Sequence, residues 1–153
     1  MNMFKKQVNH CYERFNIAKD VISKMPIKNL LSSVMISEDS LEEELKNNSQ
    51  KIHKVALLMA KDVTRGKVMS YTYAAAIAVL ADIVGLNYEL RCGYSLAKDM
   101  EGYEKLAEEA KKANFSDSNL PYFANHFYLI IDGKVYEYFN GYKEVEHIYD
   151  TTI

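Results

Sequence analysis

The stretch GKVMSYTYAAAIAVLADIVGLNYELRCGY, Gly66 to Tyr94, decides the fold of this chain. From Ser70 onward it is a run of alanines and large apolar side chains, apolar nearly all round, and a helix of that kind belongs in the middle of a domain. Gly85 supplies the left-handed residue that stops it. Leu86 to Tyr94 then reads as a strand, with Leu86, Tyr88, Leu90 and Cys92 on one face. The stretch therefore predicts a buried helix feeding directly into a sheet.

Working outward, Phe4, Val8, Cys11, Phe15, Ala18 and Ile22 recur at steps of three and four, which predicts an amphipathic helix ended by Pro26. A shorter helix is expected over Lys28 to Val34. Ser40-Leu41-Glu42-Glu43 reads as a capping box opening a third, and Ile52 to Val63 carries a further apolar periodicity. Beyond the strand, Glu101 to Ala113 is an exposed charged helix and Asn114 to Pro121 a loop. Phe127 to Ile131 and Lys134 to Phe139 flank Asp132-Gly133, a strong signal for a two-residue hairpin turn. A strand from Glu144 to Tyr149 follows. Helices first and antiparallel strands second define an α+β class, with N-terminal helices and a buried central helix packed on a small sheet.

The 153 residues, 48% hydrophobic and 26% charged, suit one domain with one core. It divides into a helical part (1–65), a core (66–141, with an insertion at 95–124) and a C-terminal extension (142–153). A formal charge of −2 with interspersed signs offers no general attraction to phosphate backbones, so nucleic acid is not an expected partner. The longest apolar run contains Asp82 and is too short to span a bilayer, and the amino terminus turns charged too early for a secretory signal. A cytoplasmic location and no membrane association are expected. Cys11 and Cys92 read as reduced thiols. His10, His53 and His147 show no ligand spacing, so neither metal nor cofactor is expected.

Ser70 and His126 carry the possible chemistry. A hydroxyl at the first turn of a buried helix gains from the positive end of the helix dipole, and a histidine held in a strand can act as its base. The plainer readings are an N-cap for Ser70 and a structural hydrogen bond for His126. Counting outward from the turn pairs Tyr128 with Glu137 and His126 with Phe139. The slot for a group that orients the imidazole thus holds a phenylalanine. Glu137 lies diagonally on the same face, and Asn140 would enter only through a one-residue bulge.

Tyr73-Ala74 behind Ser70, Gly85, Gly93-Tyr94 and His126-Phe127-Tyr128 together resemble the transglutaminase-like branch of the papain-like superfamily. That family has Gly-x-Cys, an aromatic-Ala pair, a helix-ending Gly, an Arg-x-x-x-Gly-Tyr strand, a His-Ala-Trp strand and an Asp on the next. The resemblance covers about residues 66 to 141 and implies a papain-like core. Ser70 stands where the family has its nucleophilic cysteine, Glu89 where it has the strand arginine, and Phe139 where it has the acid; only His126 of the triad is retained.

Those departures imply a degenerate active site that works through a protein or peptide partner. Tyr128, Tyr136, Tyr138 and Tyr142 around the hairpin are the candidate contact residues, since exposed tyrosine offers large area with a polar tip. Ordinary strand composition accounts for them equally well. One alternative is an active hydrolase or acyltransferase with Ser70 as nucleophile, His126 as base and Glu137 or Asn140 orienting the imidazole. Another is an inhibitory or structural protein of a mobile element.

Overall fold

A computed structural model describes residues 3–112 and 124–153. Among them are six α-helices and a four-stranded antiparallel sheet, the expected α+β class. Helix α1 (Met3–Ser23) buries Phe4, Val8, Phe15, Ala18 and Ile22 and stops before Pro26. Helices α2 (Ile27–Ser33), α3 (Leu41–Lys46) and α4 (Gln50–Thr64) follow. The capping box falls three residues earlier than the sequence suggests. Ser37 and Ser40 exchange hydrogen bonds across a 3-10 turn at Glu38–Ser40, whereas the Ser40 side chain does not cap α3.

Helix α5 (Ser70–Val84) is the central helix, and every residue from Thr72 to Ala81 is buried. Its first turn is not closed by Ser70. The Thr72 hydroxyl accepts from the Met69 N–H at 3.0 Å and donates to the Met69 carbonyl at 2.9 Å, so Ser70 stands inside the helix instead of capping it. Gly85 ends the helix at φ +74°, left-handed backbone that a side chain would strain.

Strand β1 (Glu89–Ala97) runs three residues past the predicted end, into the segment expected to be an insertion. It leads to helix α6 (Tyr103–Lys112). The loop expected at Asn114 to Pro121 lies outside the described residues. Strands β2 (His126–Ile131) and β3 (Lys134–Tyr136) form the hairpin, and Ile131 pairs with Lys134 across Asp132-Gly133 as counted from the sequence. Strand β4 (Val145–Thr152) completes the sheet in the order β3-β2-β1-β4. The C-terminal segment is therefore an integral strand of the sheet. A register shift sits opposite Tyr94 and Ser95, where β4 carries one extra residue.

The two faces of the sheet have separate roles. Leu90, Cys92, Phe127, Leu129, Ile131 and Tyr136 belong to the core built on α5. The Phe15 ring stacks on Phe127 with centroids 5.1 Å apart, fixing α1 against the same face. By strand alternation, Arg91, His126 and Tyr128 point the other way. Gly93 lies in one cross-strand row between His126 and Asp150. None of the described helices is long and apolar enough to cross a membrane.

Candidate functional site

The sequence-predicted pair meets only through the backbone. The Ser70 hydroxyl accepts from the Phe127 N–H at 3.2 Å, which brings the start of α5 against the start of β2. Phe127 faces α5, so its neighbour His126 projects from the opposite side of the strand. Among the described residues no hydrogen bond joins Ser70 to the imidazole.

His126 is fixed on the outer face by several groups. Asn125 donates from its backbone to the Gly93 carbonyl at 3.0 Å, and its side-chain amide pairs with both the N–H and the carbonyl of Ser95 at 2.8 Å. This side-chain continuation of the ladder holds the beginning of β2 on β1. The His126 side chain is wholly buried, with the Phe139 ring edge-on at 4.9 Å. The apolar wall expected at Phe139 is thus present.

The orienting carboxylate is Glu137, whose Oε1 lies 3.2 Å from His126 Nε2. Chain departure after the short β3 lets Glu137 reach the diagonal position. Asn140 does not join the cluster. It is exposed, at φ +49° in the turn where the Phe139 N–H donates to the Gly141 carbonyl.

His147, from β4, is the group that sequence spacing missed. Its Nε2 lies 3.2 and 3.1 Å from the two Glu137 oxygens. Its ring stacks on Tyr128 at 4.2 Å and 7° and lies 5.8 Å from the His126 ring. The spacing of His10, His53 and His147 does not announce this grouping, in which one atom each from His126, Glu137 and His147 lies within 4.8 Å of the others. Behind them, the Tyr128 hydroxyl donates to the Asp150 carboxylate, which also accepts from Arg91 at 3.0 Å.

Burial sets the protonation of this group. It pushes the His126 imidazole below its ordinary value despite the opposing pull of Glu137. Burial alone would raise Glu137, but hydrogen bonds from His126 and His147 outweigh it and hold the carboxyl at about 2. The cluster therefore favours an ionised Glu137 while burial disfavours the charged form of His126. His126 Nδ1 is buried without a partner among the described residues.

The tyrosines divide. Tyr128 and Tyr136 are buried, and the Tyr136 hydroxyl donates to the Leu45 carbonyl at 2.5 Å, so neither offers an outward contact surface. Tyr138 and Tyr142 lie elsewhere, in an aromatic group with Tyr73 and His53. The Tyr73 hydroxyl bonds His53 Nδ1, and the Tyr142 hydroxyl donates to the His53 carbonyl at 3.3 Å. Tyr142 is 53% exposed and lines a recess of about 430 Å³ with Gln50, His53, Lys54 and Leu57.

Comparison with family models, with curated proteins and with solved structures found no match.

Proposed function

We propose that the chain is a degenerate transglutaminase-like protein that acts by binding a protein or peptide, without hydrolase or acyltransferase chemistry. The observation that carries this reading is the sealed imidazole. A general base must reach the proton it abstracts, directly or through one water. His126 has no exposed side-chain surface and stands across the strand from Ser70, whose oxygen is engaged by the Phe127 amide. Glu137 orients the ring, yet the oriented ring has no hydroxyl hydrogen-bonded to it among the described residues.

The binding surface in this reading is the recess at Tyr142, with Tyr138 behind it. A half-exposed tyrosine above an aromatic base combines contact area with little conformational entropy to lose. A fluorophosphonate probe applied to wild type and Ser70→Ala is expected to label neither through residue 70. Peptides selected by display on the wild type are expected to lose at least tenfold in affinity for Tyr142→Ser. Ser70-dependent labelling would refute the non-catalytic reading. Undiminished peptide binding by Tyr142→Ser would refute the assigned surface.

A further inference from the structure

We propose that His126, Glu137 and His147 form a binding site for a divalent first-row metal ion of the zinc class. The inference is independent of the peptide-binding reading, because the cluster lies on the outer sheet face and does not include the Tyr142 recess.

The geometry carries it. Zinc bonded to nitrogen and oxygen at about 2.0–2.1 Å in a tetrahedral array sets neighbouring ligand atoms roughly 3.3–3.4 Å apart. His126 Nε2 and His147 Nε2 each stand 3.2 Å from Glu137 Oε1, and His147 Nε2 stands 3.1 Å from Oε2. The three ligand atoms span no more than 4.8 Å, so an ion needs the two nitrogens drawn inward. His147 is the ligand with freedom to do this, its side chain being 23% exposed against none for His126.

The donor chemistry agrees. Two imidazoles and one carboxylate suit zinc, cobalt or nickel better than magnesium or calcium, which take oxygen ligands. Both rings already pack on aromatic neighbours, His147 flat on Tyr128 and His126 T-shaped against Phe139. An ion there would join β2, the segment after β3, and β4. Three protein ligands leave a coordination position for water or an incoming group. Metal-bound imidazoles ordinarily donate from the far nitrogen, and His126 Nδ1 has no acceptor among the described residues. Missing outer support of this sort weakens a site by roughly 10- to 100-fold, which makes exchangeable binding the expected behaviour.

The test uses the full chain, stripped with a chelator and dialysed, then titrated with zinc against a chromophoric indicator and with cobalt followed by its visible absorption. Saturation at one ion per chain is expected, with cobalt giving the intense bands of four-coordination. Glu137→Gln keeps the size of the side chain, and His147→Ala removes the most exposed ligand. Each is expected to weaken zinc by at least roughly 10- to 100-fold. Circular dichroism and thermal melts check that the metal-free variants fold, and Glu137→Gln decides the matter should His147→Ala unfold. Absence of one-to-one saturation in wild type would overturn the proposal and leave the three groups as a hydrogen-bonded set. Wild-type affinity in folded Glu137→Gln would overturn it too, moving the ion to another histidine such as exposed His10.

Discussion

Replacing Gly93 with alanine is expected to destabilise the sheet by about 3 kcal/mol. A Cβ at this position would stand 2.0 Å from the Tyr149 carbonyl oxygen and 2.5 Å from Asp150 Cα. Real Cβ contacts do not fall below 3.0 Å, so β4 would have to retreat by at least 1.0 Å, the difference between 3.0 and 2.0. The obstructing atoms are backbone, and no rotamer change relieves them. Overpacking of this kind costs about 1–3 kcal/mol. Loosening one or two ladder hydrogen bonds between β1 and β4 adds about 0.5–1.5 kcal/mol each. The sum is a large share of the roughly 5–15 kcal/mol that stabilises an ordinary domain. Urea unfolding followed by circular dichroism would read it as a midpoint lowered by about 1–2 M at unchanged slope. A loss under about 0.5 kcal/mol would refute the close approach of β4 to β1, since ordinary surface substitutions fall within that range.

Burial holds His53 and His126 below the ordinary 6.5, so the unfolded chain takes up protons before the folded one does. Stability of the metal-free protein is therefore expected to be at its plateau above pH 6.5 and to fall as pH is lowered through that value, measured by urea unfolding at pH 7.5, 6.0 and 5.0; a constant or rising stability would contradict it. The neighbouring Cys92 thiol, against burial and with help from Arg14, lowers the Cys11 thiol below its ordinary value, while the same proximity and burial raise Cys92. Iodoacetamide is expected to alkylate Cys11 with a rate midpoint below that of an ordinary thiol and to spare Cys92 in the folded state, and Cys92→Ala to move that midpoint upward; equal labelling of both thiols by mass spectrometry would refute the assignment.

The parts of this fold legible in the sequence are those fixed by local rules. Gly85 ends α5, Pro26 bounds α1, and Asp132-Gly133 sets the hairpin register, each through backbone preferences of the residues themselves. Ser37 and Ser40 show the margin of error, because either serine could begin the same turn. The outer cluster was only half readable. Glu137 follows from counting along the hairpin, but His147 depends on where β4 pairs with β1 and on the extra residue opposite Tyr94 and Ser95. No periodicity in the chain encodes that shift. The burial of Tyr128 has the same cause, since His147 covers its ring.

The position of β4 at the rim of the sheet has a consequence for how the molecule opens. Its residues are half-buried or exposed, its ladder is interrupted at the register shift, and among the described residues β1 is its sole strand neighbour. Such a strand is the natural place for sub-global opening to start, well before the hairpin or α5 gives way. Peeling it would carry His147 and Asp150 off together, uncovering Tyr128 while His126 and Glu137 stayed joined on the hairpin. In hydrogen exchange, the amides of 145–152 would then trade with solvent as one cooperative unit, ahead of those of β2.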